Sequence, residues 1–158
     1  MSSIGLAGSR SGLRPILIVE DNDMDLDFCL QAFGEHGIGN PVLTCRDGEE
    51  AIQFIDDHRD AQDPRVPLLV LLDLRLPKVD GIDVLRHARR DPVWRKVPFV
   101  VLTTSRENSD IGAAYDLGGN SYIVKPVDFA SFAEVVKQLK IYWILTNESP
   151  YPPEVSVQ

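Results

Sequence analysis

Four short runs in this sequence are apolar almost throughout rather than at every second position: Ile16–Val19, Leu68–Leu72, Phe99–Leu102 and Ser121–Val124. A strand with one wet face alternates apolar and polar residues. Continuous hydrophobicity over four or five residues marks a strand covered on both faces, as in a parallel sheet. A weaker run, Val42–Cys45 next to Pro41, fits an edge strand. Between the runs lie helical stretches at about Met24–His36, Glu49–Asp57, Ile82–Arg90, Asp110–Leu117 and Asp128–Leu145. Asp47-Gly48 and Asp80-Gly81 precede the second and third helices, and Gly37, Gly39 and Pro41 close the first. Gly118-Gly119-Asn120 ends the fourth, where a positive φ is expected. Five strands alternating with five helices predict an α/β fold, a doubly wound five-stranded parallel sheet with helices on both faces. One domain over 15–145 is expected, with an N-terminal arm (1–14) and a Pro-rich C-terminal tail (146–158) outside it.

Charge narrows the partners. The chain of 158 residues has 24 acidic against 16 basic side chains, a net charge of −8. Such a surface repels a phosphate backbone, so no nucleic-acid partner is expected; a bound cation suits it better. Cys29 and Cys45 lack a CxxC spacing and read as reduced core thiols. His36, His58 and His87 share no ligand spacing. No apolar run approaches the ~20 residues of a membrane span, and the first residues lack the apolar stretch of a signal peptide. No membrane partner and a cytoplasmic location are the expectations.

Ligands of an open parallel sheet bind at the carboxyl ends of its strands, and polar residues fall there repeatedly. The first run ends in Glu20-Asp21, the next buried one in Asp73, then Thr103, then Lys125. Three carboxylates gathered on one rim repel one another unless a cation lies between them. Mg²⁺ takes few protein carboxylates, several waters and a substrate phosphate, which fits Asp21 and Asp73 as direct ligands and Glu20 as the holder of a metal-bound water. An ionised aspartate is a competent nucleophile for phosphoryl transfer. The charge on the phosphoryl oxygens would then be met by Mg²⁺, Lys125 and the Thr103 hydroxyl.

These segments resemble the receiver domains of bacterial two-component response regulators over about residues 15–145. The resemblance is carried by Ile16-Leu-Ile-Val-Glu-Asp21, Leu69-Val-Leu-Leu-Asp73-Leu-Arg-Leu-Pro77-Lys-Val-Asp-Gly81, Val100-Val-Leu-Thr103-Thr-Ser105 and Ser121-Tyr-Ile-Val-Lys125-Pro126. The 30 positions from Asp73 to Thr103 and the 22 from Thr103 to Lys125 match the family spacing. Glu20 departs from the commoner Asp. The resemblance implies the flavodoxin-like receiver fold with strand order 2-1-3-4-5. It also implies that Asp73 takes a phosphoryl group from a phosphohistidine on a sensor histidine kinase, the protein catalysing its own modification rather than acting as an enzyme on a separate substrate. Asp21, Asp73 and the backbone carbonyl of Arg75 would hold Mg²⁺. Lys125 would pair with the phosphoryl group, followed by a cis peptide to Pro126. Thr103 and Tyr122 would form the switch, biasing a surface made by the fourth helix, last strand and last helix. Arg75 and Ser105 would tune the acyl-phosphate lifetime.

The chain ends too soon after the last helix for an effector domain, so output is expected through a downstream protein or phosphotransfer target. The stretch Leu139-Lys-Ile-Tyr-Trp-Ile-Leu145 is apolar nearly all round, beyond the one stripe a surface helix needs. It predicts a homodimer, with Phe132, Leu139, Tyr142 and Trp143 as candidate contacts. This tail, the Pro-rich end and the loop Asp56–Pro67 are similar to the small single-domain regulators paired with phytochrome-type kinases. Two other readings share features of the site. A haloacid-dehalogenase-type phosphatase also uses a strand-end aspartate and Mg²⁺, but wants a second acid two residues on, where this chain has Arg75. A receiver-like interaction module that is never phosphorylated would not need the full acid set with Thr103 and Lys125.

Overall fold

The structure, a computed structural model, describes the backbone of residues 3–5 and all of residues 12–151. Six strands form one sheet: β1 (Ser3–Gly5), β2 (Ile16–Val19), β3 (Val42–Cys45), β4 (Leu69–Leu72), β5 (Phe99–Thr103) and β6 (Ser121–Val124). The helices are α1 (Asp23–Glu35), α2 (Gly48–Asp57), α3 (Gly81–Arg90), α4 (Asn108–Asp116) and α5 (Phe129–Leu139), the last continuing as a π-helix over Lys140–Thr146. The sheet runs β1-β3-β2-β4-β5-β6. Its five parallel strands, β2 to β6, therefore stand in the expected order 2-1-3-4-5.

Three of the four continuous apolar runs have the cause inferred for them; the fourth, Ser121–Val124, is half-buried as the last strand of the sheet rather than covered on both faces. Leu17, Val19, Val70, Leu72, Phe99 and Val101 point to one face, against α2, α3 and Trp94. Their neighbours Ile16, Ile18, Leu69, Leu71, Val100 and Leu102 point to the other, against α1 and α5. Both sets are buried, so the period of two is present but each half of it meets a helical layer. Side-chain caps start four of the helices: Asn22, Asp47, Asp80 and Asp128 each accept a backbone N–H from the first turn. Gly118 ends α4 with φ +77, the left-handed turn that a side chain resists.

Both chain ends depart from expectation. Val42–Cys45 is not the edge: β1 pairs with it antiparallel, Ser3 opposite Thr44 and Gly5 opposite Val42. An edge strand presents unpaired N–H and C=O groups, and the N-terminal segment covers them. Arg14, also assigned to the arm, is buried; its Nη1 donates to the carbonyls of Asp63 (2.8 Å) and Val66 (3.0 Å), and Nη2 to that of Ala61 (3.1 Å). The loop after α2 is thus anchored by a residue far ahead of it. From the tail, Tyr151 lies 5.8 Å from the Arg14 guanidinium and donates to the Val93 carbonyl at 2.6 Å. The remaining residues of the expected arm (1–2, 6–11) and tail (152–158) lie outside the described residues.

The expected last helix, Asp128–Leu145, changes character at Lys140, where i→i+5 bonding begins; Asn147 N–H donates to Tyr142 O at 2.7 Å. Among the described residues no peptide bond is cis, so Lys125–Pro126 is trans, contrary to expectation. Before proline the preference for trans is only ~0.5–1 kcal/mol, and the trans linkage here already delivers Lys125 to the acidic rim.

Candidate functional site

Four of the parallel strands, β2, β4, β5 and β6, deliver a polar residue at the same edge: Glu20, Asp73, Thr103 and Lys125. Leaving β2, Glu20 is held by backbone groups: its N–H donates to Cys45 O (2.9 Å), and its carboxylate accepts from Asn22 N–H (3.1 Å). Asp73 follows β4 with its N–H on Val19 O at 3.1 Å, and Lys125 follows β6 with its N–H on Thr103 O at 2.8 Å. The ladder thus continues one residue past the strands and fixes where these side chains start. Gly81 matters to this placement. A Cβ there would come within 2.3 Å of the Asp73 carbonyl oxygen, so only glycine lets α3 begin this close beneath the aspartate.

The Lys125 ammonium is the centre of the cluster. It lies 2.6 Å from Glu20 Oε1, 2.7 Å from Asp25 Oδ2 and 2.9 Å from Asp73 Oδ2. Asp73 Oδ1 accepts from the Arg75 backbone N–H at 3.1 Å, so both oxygens of the aspartate have a partner. Glu20, Asp73 and Lys125 are buried. Burial pushes the Glu20 carboxyl up to about 7, helped by the Asp73 charge and opposed by its hydrogen bond to Lys125. For Lys125, burial alone would lower the pKa, but hydrogen bonds to Asp25 and Glu20 and the Asp73 charge outweigh it and hold the ammonium protonated.

Oxygens of Glu20, Asp21 and Asp73 all lie within 4.8 Å of one another. One lysine cannot neutralise these three acids and Asp25 together. A donor set made only of oxygens, with negative charge in excess, fits a hard divalent cation such as Mg²⁺ or Mn²⁺.

Next to this centre lies a second hydrogen-bonded group. Thr103, at the end of β5, is fully buried, and its Oγ1 accepts from Ser105 N–H at 3.5 Å. Arg75 Nη2 and Ser105 Oγ both donate to Asp110 Oδ2, each at 2.6 Å. The Tyr122 hydroxyl donates to the Ser105 carbonyl at 3.0 Å. Thr103, Tyr122, Arg75 and Ser105 are therefore joined in one hydrogen-bonded group through Asp110 and Ser105, and Arg75 ties that group to Asp73 through its backbone N–H.

Two participants escaped the sequence reading. Asp25 carries a weak signal: it stands three residues after the helix cap Asn22, whose side chain accepts its N–H at 3.0 Å, the position where an acid often completes a capping box. Asp110 carries none beyond its place in the first turn of α4. The proposed dimer contacts divide. Phe132 and Leu139 are buried in the chain's own core, Phe132 in edge contact with Phe28, so neither is free for a partner. Tyr142 is exposed together with Ile141 and Leu145, and Trp143 is half-buried against the core.

A doubly wound sheet with an acidic cluster, a buried lysine and a buried threonine at its carboxyl edge defines a class of α/β domain with a cation-suited site at one rim. Residues 16–137 match the profile of the response regulator receiver domain, and the chain belongs to that family. It is 40% identical over 137 residues (87% of this chain, 88% of the relative) to the probable methanogenesis regulatory protein FilR2 of Methanothrix harundinacea. It is 33% identical over 135 residues (85% and 92%) to the response regulator Rcp1 of Synechocystis. Rcp1 has been solved in a Mn²⁺-bound form, which superposes with a TM-score of 0.78 over 87% of this chain and 99% of that one. The phosphorylated cyanobacterial phytochrome response regulator RcpA superposes with a TM-score of 0.80 at 37% identity, again over 87% and 99%.

Proposed function

We propose that this protein is a response regulator that accepts a phosphoryl group on Asp73 from the phosphohistidine of a sensor histidine kinase, with Mg²⁺ held by Asp21, Asp73 and the Arg75 backbone carbonyl and, through water, by Glu20. The observation that carries the reading is the meeting of Asp73 with the Lys125 ammonium at 2.9 Å inside a cluster of acidic oxygens suited to a divalent cation. In the transfer, a carboxylate oxygen of Asp73 forms a bond to phosphorus as the phosphorus–nitrogen bond of the donor breaks, and the donor imidazole keeps its electron pair. The cation supplies charge neutralisation for the transferring phosphoryl group. Lys125, bound to Asp73 before transfer, passes to a phosphoryl oxygen after it, and the Thr103 hydroxyl meets another. Tyr122 follows the space that Thr103 leaves, which biases the surface of α4, β6 and α5.

A phytochrome-type kinase is the proposed donor, supported by the likeness to RcpA. Output passes to a downstream protein or phosphotransfer target. The exposed apolar side of the π-helix, Ile141, Tyr142 and Leu145, is the proposed homodimer contact. The phosphatase reading gains no support from the geometry: the residue two positions after Asp73 is a guanidinium already engaged by Asp110. Incubation with a phosphorylated phytochrome-type kinase tests the assignment. Phosphate should leave the kinase and appear on this chain in an alkali-labile, hydroxylamine-sensitive form, and Asp73→Asn should abolish it. Transfer to Asp73→Asn at the wild-type rate would overturn it.

A further inference from the structure

One oxygen, Asp110 Oδ2, receives both the Arg75 guanidinium and the Ser105 hydroxyl at 2.6 Å. These two donors belong to separate arms of the site. Arg75 follows Asp73 by two residues and gives its backbone N–H to Asp73 Oδ1. Ser105 follows Thr103 by two, gives its backbone N–H to Thr103 Oγ1, and presents its carbonyl to the Tyr122 hydroxyl. Asp110 itself sits in the first turn of α4. A single carboxylate therefore ties the loop beyond β4, the loop beyond β5, and α4 into one unit, with Tyr122 attached at its far side. Glu107, 3.8 Å from the same guanidinium nitrogen, is a second and weaker acid on that arm.

We propose that Asp110 is a positioning residue that clasps Arg75 and Ser105 in the resting conformation, and that a phosphoryl group on Asp73 opens the clasp by competing for Arg75. The proposal rests on the phosphoacceptor role of Asp73 and adds the element through which it is read. The phosphoryl dianion carries more charge than a carboxylate and offers three acceptor oxygens. It forms on the residue whose backbone contact already holds Arg75 nearby. Guanidinium pairs with either anion through the same fork, so the two compete directly. Once Arg75 leaves, Asp110 retains only the neutral Ser105 hydroxyl, and the loop that holds the Tyr122 hydroxyl is freed with it. The clasp is half exposed at Arg75, whose side chain is 51% accessible, while Asp110 is 18% accessible. A contact of that kind biases a two-state equilibrium without locking it.

Beryllofluoride, which mimics a phosphoryl group on an aspartate, is the probe. With Mg²⁺ present, wild type should bind it, as read by a change in intrinsic fluorescence, and Asp110→Asn should bind it about five- to tenfold more tightly, the gain expected from removing a modest bias toward the resting state. In an Arg75→Ala background the Asp110→Asn effect should vanish, because the clasp is already gone. Asp110→Ser serves equally should the amide fold poorly, and thermal unfolding of each variant in the absence of the probe checks the fold. Equal affinity in wild type and Asp110→Asn, or an unchanged effect in the Arg75→Ala background, overturns the clasp while leaving the role of Asp73 standing. Failure of wild type to bind the probe removes that role, and the clasp with it.

Discussion

At the scale of single residues, Lys125 is the side chain on which most depends. Its side chain is 4% accessible, and its ammonium balances three carboxylates, two of them nearly as buried. Breaking a buried ion pair by removing one partner leaves uncompensated charge and costs roughly 3–5 kcal/mol. Lys125→Ala should therefore be destabilised by about that amount in metal-free buffer. Mg²⁺ should raise its denaturation midpoint more than it raises that of wild type, because the cation then meets the stranded acids. Equal Mg²⁺ responses in urea titrations of the two proteins would contradict this account. The thiols make a separate prediction. Burial, with the Glu20 charge behind it, pushes Cys29 up to about 12, and burial with nearby Glu50 and Asp47 raises Cys45 further. A raised thiol pKa favours the protonated form, so the native protein at pH 8 should react with a thiol reagent far more slowly than the unfolded chain. The associated stability is present below pH ~9 and lost as the pH rises toward the folded value. Rapid labelling of either cysteine in the native state would contradict the burial.

Much of this site was legible because its residues follow strands directly. Glu20, Asp73, Thr103 and Lys125 each stand where an apolar run stops, so the fold class alone gathers them on one edge. Asp25 and Asp110 were not legible, because both lie in first helical turns, where an acid is ordinary capping chemistry. Only the three-dimensional approach of Lys125 and Arg75 gives them another role.

At the scale of elements, helix ends carry measurable energy. Asp47 caps α2 by accepting Glu50 N–H at 2.8 Å, and its other oxygen lies 3.5 Å from Lys78 Nζ. Asp47→Ala should cost about 1 kcal/mol in denaturant unfolding, as N-cap losses do, with little effect on the distant π-helix; no change in midpoint would refute the cap. The π-helix makes the opposite kind of claim, about association rather than folding. Tyr142 is 53% accessible and Leu145 68%, so Tyr142→Glu should leave the monomer's stability nearly unchanged and shift light scattering toward the monomer. A wild type that is monomeric at micromolar concentration with and without phosphoryl donor would remove the dimer. The apolar stretch was visible in the sequence, but its division was not. Phe132 and Leu139 turn inward because α5 packs on α1, whereas the change of helical period after Leu139 rotates Ile141, Tyr142 and Leu145 outward.

At the scale of the whole molecule, Arg14 and Tyr151, from sequence-distant segments, meet before the first parallel strand, away from the acidic cluster. Arg14 holds three loop carbonyls, and Tyr151 spans from Arg14 to Val93. Tyr151→Phe should lose about 1 kcal/mol, the value of one such hydrogen bond. Arg14→Ala should lose more, because buried carbonyls are left without partners; equal stability of both variants and wild type would show the ends to be passive. Neither contact could be read in advance, since an Arg or Tyr in a Pro-flanked terminal stretch resembles any exposed one. The parallel sheet was readable, because continuous apolar runs call for cover on both faces; the strand order was implied only by the family resemblance.

The central claim, that Asp73 is the phosphoacceptor of a Mg²⁺-dependent switch, is tested most directly by intact-mass measurement after incubation with acetyl phosphate and Mg²⁺. Wild type should gain the mass of one phosphoryl group with Mg²⁺ and none when Mg²⁺ is withheld, and Asp73→Asn should gain none in either case. No gain with any small-molecule donor or kinase, or an equal gain in Asp73→Asn, would contradict the account.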